Sequence, residues 1–230
     1  MPILLVVAHP DDEVLGFGAS VAMLAEQGTD IYTCILSGTV EARRNKPEQD
    51  VLVHNIEQAN NFLGVKGLVL GSFPNIEFNV IPHLELVRFI EEAIEEFMPD
   101  VIITHHPSDL NNDHLQTSLA CQAAARLFQR KDNIVPLKSL FYMEILSSTD
   151  WAFSDNQFGF KPDSFLEVGE GFIDKKIQAL KIYEGITREY PHPRSEETIK
   201  GLAAYRGSQA GLRYAEALQT AFRQIRTGDF

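Results

Sequence analysis

The sequence predicts an α/β fold: a Rossmann-like, mostly parallel sheet flanked by helices, with a helical C-terminal part. Three observations carry that prediction. Short apolar runs rich in Val, Ile and Leu recur between residues 2 and 145. Longer segments with apolar residues at helical spacing separate them. Gly and Pro punctuate the joins. Strand and helix in alternation imply right-handed βαβ units and a parallel sheet.

Each element has its own reason. Residues 2–8 are continuously apolar, as a strand buried on both faces must be. Residues 14–27 read as a helix stopped by Gly28, and residues 31–36 as a second strand. Residues 47–63 carry Val51, Ile56, Ala59 and Leu63 near helical spacing, with Gly64 as the stop. Residues 67–70 form a short third strand. Residues 82–98 start at Pro82, with Leu86, Val87, Ile90, Ile94 and Phe97 on one face and a glutamate stripe read as solvated on the other. Residues 101–104 are a fourth strand, 114–130 a helix and 139–145 a strand. Residues 151–171 are loop-like with room for a short strand, and 171–183, 195–205 and 209–225 read as helices. No shift in composition marks a boundary, so residues 1–230 are taken as a single domain.

Composition excludes several function classes. The chain has 230 residues and 44% hydrophobic side chains, enough for one substantial core. Twenty Lys and Arg face 32 Asp and Glu, a net charge of -12, which argues against a nucleic-acid binder with a broad basic face. No apolar run reaches the roughly 20 residues of a membrane span. The N-terminal segment lacks the basic region of a signal peptide. Two cysteines, Cys34 and Cys121, sit in apolar surroundings and read as buried free thiols in a cytoplasmic setting.

The chemistry concentrates in two polar loops. Ala8-His9-Pro10-Asp11-Asp12-Glu13 follows the first strand, and residues 105–114, His-His-Pro-Ser-Asp-Leu-Asn-Asn-Asp-His, follow the fourth. With a strand order 3-2-1-4, strands one and four are neighbours at the point where the order reverses, and both loops open onto one crevice. Such a His/Asp cluster suits a divalent metal, zinc above all, although another divalent ion is open. A second carboxylate beside the ligands can act as general base, and Asp11 and Asp12 can divide those two tasks. Asp109 and Asp113 read as caps of the helix that follows. Gly16-Phe17-Gly18 is a poor dinucleotide fingerprint, since Val21 stands at the third glycine position; small residues there let the helix pack closely on the sheet.

The segment 8–13, with Leu15-Gly16-Phe17-Gly18-Ala19 after it, resembles the signature of the LmbE-like, or PIG-L, zinc deacetylases. The stretch Pro191-His192-Pro193-Arg194-Ser195 and the later Arg206-Gly207, Gly211 and Ala215-Glu216-Ala217 resemble a C-terminal pattern of one bacterial branch. The resemblance implies an LmbE-like fold and removal of an N-acetyl group from an N-acetylglucosamine-type amino sugar or its conjugate. It implies His9, Asp12 and His114 as zinc ligands, Asp11 as general base, and a possible homo-oligomer. Many members carry a histidine three residues before the last ligand; this chain has Asn111 there. His192, in its Pro-stiffened loop, is the preferred imidazole in its place, with His105, His106 or a hydrogen bond from Asn111 as alternatives. Arg43, Arg44, Asn111 and Arg194 are expected to contact the substrate. Two other readings stay open: a zinc amidase acting on a thiol conjugate or another small amide, and an inactive metal-binding module.

Overall fold

The computed structural model describes residues 1–39, 47–152 and 159–227. Its centre is one seven-stranded sheet in the order β3-β2-β1-β4-β5-β7-β6. Strands β1 (Ile3–Val7), β2 (Ile31–Ile35), β3 (Gly67–Leu70), β4 (Val101–His105) and β5 (Ser139–Met143) are parallel. The expected order 3-2-1-4 is therefore present, and strand order reverses between β1 and β4. Val6 pairs with both Cys34 and Thr104, so the loops after the central strands leave the sheet at one level.

Alternation along β1 divides the core. Ile3, Leu5 and Val7 face helices α1 (Asp12–Glu26), α2 (Gln49–Leu63) and α5 (Glu170–Ile182). Leu4, Val6 and Ala8 face α3 (His83–Phe97) and α4 (Asn112–Ala124). Period-two side chains buried on both faces explain why this strand reads as an unbroken apolar run. Cys34 and Cys121 are buried free thiols in the second cluster. Gly64 closes α2 in the left-handed conformation, as its position predicted. Residues 114–130 divide into most of α4 and a short 3-10 turn, Leu127–Gln129.

Two expectations need correction. Residues 209–225 are not a helix: α6 (Glu196–Gln209) ends where that segment begins, and β7 (Ala215–Arg223) follows. Ala, Glu, Leu and Gln favour helices in isolation. Here the backbone of β7 fills the open edge of β5 and carries β6 (Ser164–Glu167) on its other side, and tertiary pairing overrides propensity. The glutamate stripe on α3 is also only partly solvated: Glu91 is buried against Arg130, and Glu95 pairs with Lys131.

The C-terminal pattern has a structural use. Helix α1 is broken at Phe17 (φ -143°), which frees the amides of Ala19 and Ser20 from the regular helical ladder. The Glu216 carboxylate on β7 accepts both, at 3.2 and 2.7 Å, and also meets Lys176 Nζ at 2.6 Å. Arg206 holds Glu144, just after β5, through two hydrogen bonds of 2.7 and 2.6 Å. Gly16 allows the close approach: a Cβ there would lie 2.3 Å from Met143 Sδ.

Candidate metal centre and cleft

The reversal between β1 and β4 brings residues 8–13 against residues 105–114. Asp11 precedes α1 with a left-handed backbone (φ 98°), uncommon for a residue with a side chain and frequent at functional turns. Its carbonyl accepts from Val14 and Leu15, which starts the helix, and its own N–H donates to Glu13 Oε2 at 3.1 Å. The sharp turn sends Asp11 and Asp12 in different directions from adjacent positions.

Three donors converge on one point. Asp12 Oδ2 lies 3.3 Å from His9 Nδ1 and 3.2 Å from His114 Nε2. Two ligands about 2.0–2.1 Å from an ion at a tetrahedral angle stand roughly 3.3 Å apart, so this spacing fits zinc. All three residues are buried. Burial alone would raise the Asp12 carboxyl; His114, His9 and His105 hold it well below the usual range. Burial would likewise lower His114, yet Asp12 and Asp109 on its two sides push it up to about 10. An imidazole between two carboxylates is a site that demands positive charge, which a divalent ion supplies.

Both histidines use their second ring nitrogen. His9 Nε2 meets Asp113 Oδ2 at 2.9 Å, and His114 Nδ1 meets Asp109 Oδ2 at 3.1 Å. This carboxylate–histidine pairing fixes tautomer and ring orientation at metal sites. The orienting carboxylates are themselves held. Asp109 accepts from the Asn111 N–H at 2.8 Å, from Thr149 Oγ1 at 2.6 Å and from Ser148 Oγ. Asp113 accepts from the N–H groups of Phe78, at 3.0 Å, and Ile76. The expectation that Asp109 and Asp113 cap the following helix is not met. Instead Asn111 is the N-cap, its Oδ1 accepting from the Asp113 N–H at 2.9 Å. The need of each candidate metal-binding histidine for a partner on its second ring nitrogen is the signal that distinguishes these aspartates from caps.

His105 and His106 do not line the cleft. His105 Nε2 accepts the Ala8 N–H at 2.9 Å, and its ring stacks on His114 at 3.9 Å between centroids, so it supports that ligand. His106 Nδ1 is engaged by Ser108, and the ring packs edge-on against Tyr142.

A cleft of about 1120 Å³ opens over the site, and His9, Asp11, Asp12, Asn111, His114, His192 and Arg194 all line it. Arg194 Nη1 stands 3.5 Å from Asp11 Oδ2, and its Nε donates to Ser147 Oγ at 3.4 Å. His192 Nδ1 accepts the Arg194 N–H at 3.1 Å, which leaves Nε2 to carry a proton as donor. Burial lowers the His192 pKa, and Arg188 and Arg194 lower it further, so the imidazole is held neutral. The cap bond of Asn111 uses its oxygen and leaves its amide NH2. Ile76 (φ 69°) and Leu110 supply apolar wall. Arg43 and Arg44 lie outside the described residues.

The family model described as PIG-L: GlcNAc-PI de-N-acetylase matches residues 4–125, more than half of the chain and the part that carries all three donors. The chain is 28% identical over 194 residues to a protein of Escherichia coli K12 named uncharacterized deacetylase YaiS, covering 78% of this chain and 88% of that one. It is 22% identical to the diacetylchitobiose deacetylase of Thermococcus kodakarensis, covering 94% and 82%. Among solved structures, the 4-carboxy-2-hydroxymuconate hydratase GalB of Pseudomonas putida KT2440 superposes with a TM-score of 0.77 at 21% identity, covering 98% of both chains. That likeness speaks for the fold alone, since one fold carries different chemistries. From the sequence match over the metal-site half, the chain belongs to the PIG-L, or GlcNAc-PI de-N-acetylase, family.

Proposed function

We propose that the protein is a zinc-dependent N-deacetylase that hydrolyses the acetamide of an N-acetylated amino sugar of the N-acetylglucosamine type, or a conjugate of one. The observation that carries this reading is the convergence of His9 Nδ1 and His114 Nε2 on Asp12 Oδ2, at 3.3 and 3.2 Å, beneath an open cleft. Two imidazole nitrogens and one carboxylate oxygen are the ligand set of hydrolytic zinc sites. When bound there, the ion polarises the amide carbonyl and acidifies water.

The chain's own residues do the rest. Asp11, outside the ligand set, takes the proton from the attacking water. The Arg194 guanidinium beside it complements the carboxylate charge. His192, neutral with a free Nε2–H, donates a hydrogen bond to the oxygen that gains charge, and the Asn111 amide can donate beside it. Asp11 then returns its proton to the departing nitrogen, so acetate and a free amine leave with atoms in balance. Arg43, Arg44 and Arg194 are the proposed contacts to the sugar or its conjugate.

Two buried free thiols agree with a cytoplasmic setting, and no helix among the described residues is long and apolar enough to cross a membrane. Strands drawn from residues 3 to 223 into one sheet support reading the chain as one domain.

The test is acetate release from a panel of N-acetyl amino sugars, their conjugates and N-acyl thiol conjugates, with metal content measured alongside. The reading expects one divalent ion per wild-type chain, chelator-sensitive acetate release from the sugars, and loss of both in His114→Ala. Full metal occupancy in His114→Ala would sink the ligand assignment. Activity confined to the thiol conjugates would replace the substrate class.

A further inference from the structure

We infer that Tyr183, acting through the Glu13 carboxylate, is a positioning residue for Asp11, and that it ties the cleft loop of residues 183–195 to the catalytic turn. This rests on the proposed role of Asp11 as general base.

Asp11 has a backbone conformation that an L-residue adopts only when its surroundings hold it there. One restraint is the bond from its N–H to Glu13 Oε2 at 3.1 Å. Glu13 is buried, and its other oxygen, Oε1, accepts from the Tyr183 hydroxyl at 2.6 Å and from Asn60 Nδ2 at 3.3 Å. Asn60, on α2, is itself fixed by a second bond from its amide to the Ile56 carbonyl at 2.9 Å. Among the described residues, no Lys, Arg or His pairs with Glu13. A buried carboxyl with neutral donors alone is a costly way to fill space, and a leucine would fill it better. Its return is geometric: one oxygen holds the Asp11 amide while the other is clamped by α2 and the end of α5.

Tyr183 also begins the loop whose Ile186, Arg188, His192 and Arg194 line the cleft. The far end of that loop returns to the same turn, where Arg194 faces Asp11. Both ends of the substrate wall are therefore anchored on residues 11–13. The metal ligands are held separately. The His9 N–H donates to Asp12 Oδ2 at 3.0 Å, and Asp113 and Asp109 fix the two imidazoles. Loosening Glu13 should misplace the base without releasing the metal.

The experiment is Tyr183→Phe, which keeps the ring and deletes the hydroxyl, assayed on the substrate identified for the wild type. A misplacement of an ångström costs on the order of 100-fold. The expected result is kcat lowered about 10- to 100-fold, with KM and metal affinity, measured by chelator competition, each within twofold. Retention of kcat within twofold overturns the inference, as does metal loss in parallel with kcat. Should Tyr183→Phe fail to fold, Glu13→Gln and Glu13→Leu decide it. The glutamine keeps an acceptor for the Asp11 N–H and should retain more kcat than the leucine at equal metal content; equal values overturn the inference. Should the wild type hydrolyse no amide, the deacetylase reading falls by itself. Hydrogen exchange over residues 9–15 then tests the network: at least tenfold faster exchange in the variant supports it, and unchanged exchange overturns it.

Discussion

Asp109 shows how a single residue type can serve two purposes. Its carboxylate gathers Ser148, Thr149 and the Asn111 N–H and presents the remaining lone pair to His114 Nδ1. Replacing a partner of this kind at a metal site lowers affinity by roughly 10- to 100-fold. Asp109→Asn is therefore expected to weaken metal binding within that range while the protein stays folded, measured by competition with a chromogenic chelator. Unchanged affinity would reduce Asp109 to a loop residue. His9 and Asp12 were legible as candidate ligands because the chemistry of residues 8–13 is written in consecutive positions, and His114 only through the family resemblance of that segment. Asp109 and Asp113 were present in the second loop but misread, since aspartate before a helix is equally a cap. Ser148, Thr149 and Tyr183 left no trace. Their partners lie 39, 40 and 170 positions away, and only folding joins them.

At the scale of elements, β7 gives the clearest lesson. Its composition suits a helix, and nothing local in it announces a strand. Its conformation is decided by the unpaired edge of β5 and by Glu216, which must point at the break in α1. Strands β1, β2 and β4 were legible because two-sided burial demands an apolar run, and helices α2 and α3 because one-sided burial demands helical spacing. Glu216→Ala removes the acceptor for two amides of α1 and leaves Lys176 buried without its carboxylate. Breaking one side of a buried pair costs about 3–5 kcal/mol. Denaturant unfolding should show a loss of that size. The double variant Lys176→Met with Glu216→Gln should recover much of it, because the glutamine still accepts from α1 and no charge is stranded. A loss below about 1 kcal/mol for Glu216→Ala would mean that the break in α1 needs no carboxylate.

For the whole molecule, the alternation of strands and helices predicts the strand order that the sheet adopts, and with it the meeting of the two polar loops. The reversal between β1 and β4 is what joins loops about 100 residues apart. The net charge of -12 is distributed unevenly: Glu91, Glu144 and Glu216 are buried, each against a named cation, while burial pushes the Glu13 carboxyl up to about 8. Arg188 and Arg194 line the cleft, and Arg194 faces Asp11, so an overall acidic protein carries cations at this opening. A metal that binds the native site and not the unfolded chain adds about 4 kcal/mol when present at 1,000 times its Kd. For a chain of this size that is roughly 10 °C of melting temperature. Chelation should remove this increment from the wild type and change little in His114→Ala. Equal melting temperatures with and without metal in the wild type would speak against a bound ion.

In the proposed mechanism the adjacent aspartates divide the labour, Asp12 holding the ion and Asp11 moving the proton. The most direct test compares wild type and Asp11→Asn at equal, measured zinc content, following acetate release from the preferred N-acetyl amino sugar. One zinc per chain is expected in both proteins, with a rate reduced by about 100- to 10,000-fold in Asp11→Asn, the span expected for loss of a general base. Wild-type rates in zinc-loaded Asp11→Asn would contradict it.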